Sequence, residues 1–133
     1  MFAFLDNIKH MDHVVGVFKA LSDPYRLKIV MFLAAPEPER IRSPLGVCSA
    51  DLQDLLGLSQ PTISHHLKLL FQAGLIGSAK QGKLTYYHLN VQGFKDVQRF
   101  GKQYRKVAKN QSKSQNKNPT KSQSKNRSKV SEL

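Results

Sequence analysis

The sequence predicts a mainly α-helical chain with one small β-hairpin, in the order helix, helix, helix, helix, hairpin, helix: a winged helix-turn-helix. Three observations carry this. "SADLQDLLGLSQPTISHHLKLLFQAGLI", from Ser49, holds two short runs of helical apolar spacing separated by Gly57. "LIGSAKQGKLTYYHLN", which follows, reads as two strands joined at a glycine turn with lysine on both flanks. The whole chain has a formal net charge of +12 and a pI of about 10.0. Such a balance points to a polyanionic partner, nucleic acid first and an anionic membrane surface second.

Taken in order, Leu5, Ile8, Met11, Val14/Val15, Phe18 and Leu21 fall at helical spacing and predict one helix. In "SDPYRLKIVMFL", Ser22 or Asp23 can cap a second helix, Pro24 suits its first turn, and Leu27, Val30 and Leu33 or Phe32 are expected to face inward. Residues 34–48 carry three prolines and predict a loop, with a short strand at Leu45–Cys48. Ser49 is expected to cap a helix that buries Leu52 and Leu55/Leu56 and breaks at Gly57, with Leu58 plugging the turn. Ser59 is expected to cap the next helix, with Pro61 in its first turn. Ile63, Leu67, Leu70 and Phe71 would form its buried stripe, and Gly74 its end. The strands are expected at about 75–80 and 84–89, with Gly82 supplying the positive φ of a tight hairpin. Phe94, Val97, Phe100/Gly101, Tyr104 and Val107 space a last helix.

One hundred and thirty-three residues suit one folded domain with a modest core. A single cysteine, Cys48, cannot staple the monomer and fits a reducing, cytoplasmic setting. No apolar run approaches the roughly 18 residues of a membrane span, and the early Asp6 with no basic run before it argues against a secretory signal. The charge is uneven: residues 1–107 hold 14 Lys+Arg against 8 Asp+Glu, whereas residues 108–133 hold 7 against 1. Lysine recurs every fourth residue at Lys109, Lys113, Lys117, Lys121, Lys125 and Lys129. With almost nothing apolar to bury, and Pro119 in the run, this segment is expected to be a disordered basic tail after a folded domain of residues 1–107.

The pair His65–His66 defines the chemistry of the second motif helix. Neighbours on a helix point about 100° apart, so the two rings cannot chelate one metal, for which spacings of three or four residues serve. No carboxylate lies one turn away to orient either ring as a base. The predicted exposed stripe is Gln60, Thr62, Ser64, His65 and Lys68, opposite Ile63 and Leu67: hydrogen-bonding side chains that can reach base edges or phosphates. His66 either packs against the first helix of the motif or donates to a phosphate. Of Tyr86 and Tyr87, which alternate faces on the second strand, one belongs to the core; Tyr87 is the candidate to stack on the phosphodiester backbone.

The segments "ALSDPYRLKIVMFL", "DLLGLSQPTISHHLKLLFQAGLI" and "KQGKLTYYHL" resemble the second-helix signature, the helix-turn-helix and the wing of the ArsR/SmtB family of bacterial winged-helix repressors. The resemblance covers about residues 14–107. It implies a homodimer, built from the first and last helices, that binds an operator and is released by a ligand or oxidant. It also implies base contacts from Thr62, Ser64 and His65, with Lys80 and Lys83 on flanking phosphates. This sequence departs from the family pattern in three places: a longer loop from Ala34 to Pro44, Ala50 where the C-V-C-D-L box has its second thiol, and Asp96 with no neighbouring histidine where a metal motif would sit. Neither metal motif is intact, so no cofactor is assigned, and a metal ion stays as an alternative with no intact family motif behind it.

Candidates for sensing are Cys48, as a thiol-reactive group against the alternative of a small buried apolar residue, and His10 with His13, whose two ligands fall short of a metal site. The function expected is that of a sequence-specific DNA-binding regulator, a dimeric repressor on an inverted-repeat operator. The rival is a largely sequence-indifferent DNA-coating protein driven by the basic tail. No nucleophile–base pair or phosphate-cradling loop suggests an enzyme, and no aromatic strand pair suggests an RNA-binding module.

Overall fold

A computed structural model describes residues 2–116 of the chain. The helices are α1 (Phe2–Lys9), α2 (Met11–Leu21), α3 (Pro24–Ala34), α4 (Ser49–Leu56), α5 (Gln60–Gln72) and α6 (Val91–Gln115); the strands are β1 (Val47–Cys48), β2 (Ile76–Gln81) and β3 (Leu84–Leu89). The described residues fall into two units, one up to Gln98 and one from Arg99.

In the first unit β3 lies at the centre of a three-stranded antiparallel sheet, between β1 and β2. Val47 pairs with Tyr87 and Cys48 with Tyr86; across the hairpin, Ile76 pairs with Leu89 and Gln81 with Leu84. The two-residue turn at Gly82–Lys83 needs positive φ at its first position, and Gly82 supplies it at 64°. The core is drawn from Val17 of α2, Ile29 and Leu33 of α3, Val47 of β1, Leu52 of α4, Ile63, Leu67 and Leu70 of α5, and Leu75 and Ile76 around β2. Phe94 and Val97 of α6 and Leu58 of the α4–α5 turn pack against it. Full burial of such side chains contributes about 1.5–3 kcal/mol each, which makes this cluster the support of the motif.

Several boundaries differ from the sequence reading. The single helix expected over 5–21 is two helices. His10 keeps ψ near −2°, far from the helical value of about −42°, and the hydrogen-bond ladder restarts from its carbonyl. In α3 it is Ile29 that is fully buried, while Leu27 is 44% exposed, because the helix packs along Ile29, Phe32 and Leu33. Asp23, not Ser22, caps α3, accepting from Arg26 N at 3.1 Å. The residue capping α4 is Cys48 rather than Ser49; Asp51 reaches back to the Cys48 backbone N–H at 3.0 Å. Phe71 is 54% exposed, since Leu67 and Leu70 already fill the inward face at that end of α5.

The last helix passes residue 107 and ends at Gln115, so the first eight residues assigned to the tail are helical. Extending an existing helix adds a hydrogen bond per residue, whereas the Lys109–Lys113 repulsion costs only about 0.2–0.5 kcal/mol. The rest of the expected tail, 117–133, lies outside the described residues.

Candidate nucleic-acid interface

The turn between α4 and α5 sets the geometry. Gly57 adopts φ 65°, a left-handed conformation that costs glycine nothing, and its N–H closes α4 on Gln53 O at 2.8 Å. Leu58 seats against the core, and α5 begins at once behind Ser59. The Ser59 hydroxyl meets the Thr62 hydroxyl at 2.9 Å, so the cap acts through a side-chain pair rather than on the backbone.

Along α5 the two faces separate as the sequence suggested. Ile63, Leu67 and Leu70 are buried; Gln60, Thr62, Ser64, His65 and Lys68 are exposed. The exposed set carries hydroxyl, amide, imidazole and ammonium groups and no carboxylate, a donor-rich surface suited to base edges and phosphates. Lys80 on β2 and Lys83 in the turn are exposed at the tip of the hairpin.

His66 belongs to the interior instead. It is 8% exposed, and its ring centroid lies 6.1 Å from that of His65, so the two rings serve different surroundings. Its partner is not α4 but the start of α3: Arg26 Nη1 donates to His66 Nδ1 at 3.1 Å, and Tyr25 lies ring to ring at 5.9 Å. Arg26 is always protonated, so Nδ1 must accept and the neutral ring carries its proton on Nε2. The same guanidinium donates from Nε to Ala20 O at 2.7 Å and from Nη2 to Lys19 O at 3.2 Å, closing the C-terminus of α2. One arginine thus joins α2, α3 and α5, and sets α5 against its support. Burial holds the His66 pKa below its usual value, with Arg26 and His65 adding repulsion and the Asp23 carboxylate, 3.9 Å away, opposing them.

Tyr87, expected on the phosphate backbone, is half-buried against the core, and burial raises its pKa. Tyr86 is buried on the other face, where its hydroxyl meets Ser43 Oγ at 3.2 Å. Neither ring is fully available for stacking.

Cys48 is buried, and its thiol donates to Asp51 Oδ2 at 3.3 Å. Asp51 is itself 1% exposed and accepts also from Cys48 N at 3.0 Å, Arg42 N at 3.1 Å and Arg42 Nη1 at 2.9 Å. Burial pushes the Asp51 pKa up, but these donors outweigh it and hold the carboxylate below its ordinary range. The placement supports a capping role for Cys48 rather than a sensing one.

The structure does place a histidine beside Asp96: His13 Nε2 lies 2.6 Å from Asp96 Oδ2. His10 is exposed at the α1–α2 break, and no group of three metal-ligating side chains forms among the described residues. An open cavity of about 620 Å³ behind α5 is lined by Asp12, His13, Lys19, Arg26, Leu69 and Gln72, a mixture of both charge signs that selects no ligand class.

Sequence reasoning missed Arg26 and the Arg42–Asp51 pair. Asp51 had a readable signal, since Cys48-x-x-Asp51 has the spacing of a capping box with cysteine in place of serine.

Residues 23–78 match the family model described as bacterial regulatory protein, arsR family. The chain is 41% identical over 81 residues to the uncharacterized HTH-type transcriptional regulator YbzH of Bacillus subtilis, covering 55% of this chain and 79% of that protein. It is 36% identical over 81 residues to the transcriptional repressor SdpR of the same organism, covering 61% and 80%. Among solved structures, the homodimeric winged helix-turn-helix DNA-binding domain of a possible ArsR-family regulator from Mycobacterium bovis superposes with a TM-score of 0.53 at 26% identity, over 77% of this chain and 84% of that one. An ArsR-like transcriptional regulator from Rhodococcus gives a TM-score of 0.62 at 21% identity, over 84% and 98%, and shares the fold.

Proposed function

The chain belongs to the arsR family of bacterial regulatory proteins, and from that premise we propose that it is a sequence-specific DNA-binding transcriptional regulator, acting as a homodimeric repressor on an inverted-repeat operator. The observation that carries this reading is the exposed, carboxylate-free stripe Gln60, Thr62, Ser64, His65 and Lys68 on a helix whose other face is locked into the core. Such a helix enters the major groove with its exposed residues toward base edges, while Lys80 and Lys83 on the wing neutralise flanking phosphates. His66 and Tyr87 support these groups from within and do not contact DNA in this reading.

Each unit also carries apolar side chains its own core leaves uncovered: Phe4, Leu5, Ile8, Met11 and Val15 in the first, Tyr104 and Val107 in the second. A second copy would cover them, and the similar Mycobacterium bovis domain is described as homodimeric. Two recognition helices then read half-sites about 34 Å apart. In this reading the chain acts by binding DNA, as befits a member of a family of bacterial regulatory proteins. No helix among the described residues is long and apolar enough to cross a membrane. The proposed DNA-binding role is what supports a cytoplasmic location in this reading. Release from DNA, in this reading, answers to a signal other than Cys48 oxidation.

Sedimentation and duplex binding test this together. A dimer at micromolar concentration, with the DNA upstream of its own gene bound at least about a hundredfold tighter than random duplex at equal salt, is the expected outcome. Equal affinity for both duplexes would return the sequence-indifferent coating protein.

A further inference from the structure

From Arg99 to Gln115 the last helix contains six cationic side chains, Arg99, Lys102, Arg105, Lys106, Lys109 and Lys113, and no acidic one; the sequence has no Asp or Glu between Asp96 and Glu132. All six are exposed, and none forms an ion pair among the described residues. At about 100° per residue they fall within an arc of roughly 120°, a single face about 21 Å long. Phe100, Tyr104 and Val107 lie on the opposite side of the helix, and the rings of Phe100 and Tyr104 meet there, tilted, with centroids 4.7 Å apart. Charge and apolar surface are therefore separated onto two faces of one helix.

We propose that this cationic face is a second DNA-binding surface, one that contacts phosphates without reading sequence. The inference rests on the DNA-binding reading of α5 and the wing, and adds a surface that reading does not use. Duplex DNA carries one negative charge per about 1.7 Å of axis, so a rigid row of cations about 21 Å long finds phosphate partners along its whole length. An anionic bilayer is the weaker match. Beyond Val107 the helix continues to Gln115 with Ala108 as its only apolar residue, while Lys109 and Lys113 continue the charge. A helix bound to a bilayer needs apolar anchors beside its cations, and here the charge runs on where the anchors stop. Lysine also recurs at the same four-residue interval in the sequence beyond, from Lys117 to Lys129.

The test uses the full chain with Lys102, Arg105, Lys106 and Lys109 each changed to Gln, a good helix former, and the apolar face left intact. Affinity for a random-sequence duplex is measured across a salt series. Each phosphate contact contributes about 0.9 to the slope of log K against log salt, so the slope should become shallower by about two to four units, and by the same amount on operator DNA. Parallel lines for the two proteins would overturn the assignment. Lys80→Gln/Lys83→Gln is run beside it. If that variant makes the slope shallower and the helix variant does not, the cationic face alone is refuted; if the wild-type chain binds no duplex, the DNA reading itself fails. Binding to phosphatidylserine vesicles that is lost in the helix variant, with the duplex slope unchanged, would move the surface to a membrane and also overturn the proposal. Should circular dichroism or sedimentation show the fourfold variant misfolded, Lys109→Gln/Lys113→Gln, beyond the last large apolar residue, gives the same readout with an expected change of about two units.

Discussion

Asp51→Asn removes the charge at the centre of the α4 cap while keeping the side chain's shape. The wild-type carboxylate accepts four donors: Cys48 N and Sγ on Oδ2, and Arg42 N and Nη1 on Oδ1. An asparagine oxygen can keep the Arg42 side, but its NH₂ then faces Cys48 N, donor against donor. Leaving that buried N–H unsatisfied costs about 1–3 kcal/mol. The Arg42 bonds turn from charge-assisted to neutral-acceptor ones and lose roughly half their strength. Arg42 is half exposed and keeps Asp54 as a partner, so its own charge is not stranded. The sum is a loss of about 2–4 kcal/mol, somewhat less than the 3–5 kcal/mol expected when a fully buried pair is broken.

Urea denaturation at fixed protein concentration measures it. With an m value of about 2 kcal/mol/M, the middle of the usual range in urea, the midpoint should fall by roughly 1–2 M. The pH dependence carries a second check. Asp51 has a folded pKa below the ordinary aspartate value of 3.8, so its contribution is fully present above that pH and is lost as pH falls through the folded pKa. The gap between wild type and Asp51→Asn should therefore narrow below about pH 4. A midpoint shift corresponding to under about 0.5 kcal/mol, or a gap unchanged at about pH 3, would refute the account of the cap.

Cys48 should resist thiol reagents in the native protein and react fully once unfolded; Cys48→Ser keeps a donor to Asp51 and should cost under about 1.5 kcal/mol, while rapid native labelling would restore the sensor reading. His66 has a depressed folded pKa, so stability should be complete above about 6.5 and fall as pH drops below it, and His66→Asn should flatten that dependence in thermal melts; an identical pH profile would remove the buried-histidine argument. At Gly93 an added Cβ would lie 2.8 Å from Gly74 O and from Leu75 Cδ2, so Gly93→Ala should lower stability by about 1–3 kcal/mol in the same urea assay, and a neutral result would mean that α6 can shift away from the hairpin.

The motif itself was legible because short-range signals agree there: Gly57 for the turn, Ser59 and Pro61 for the start of α5, period-3.6 apolar residues for its buried face, and Gly82 between two strands. What escaped depends on partners far apart in sequence. Arg26 and His66 are 40 residues apart, and His13 and Asp96 are 83 apart, so no local pattern announces either pairing. The burial of Ile29 in place of Leu27, and the exposure of Phe71, follow from which side of each helix meets its neighbours. The break at His10 has no proline or glycine to mark it. The extension of α6 to Gln115 reflects the low cost of lengthening an existing helix, which a composition argument for disorder does not weigh.

The division of labour between α5 and the wing is the central claim, and an affinity matrix tests it most directly. Wild type, Ser64→Ala, His65→Ala and Lys80→Ala/Lys83→Ala are titrated against the operator and its single-base variants at constant salt. The α5 substitutions should erase discrimination at particular positions, by about 1–3 kcal/mol for each base that the side chain reads, while the wing substitution lowers every affinity by a common factor. Base preference that survives both α5 substitutions and changes with the wing lysines would contradict the account.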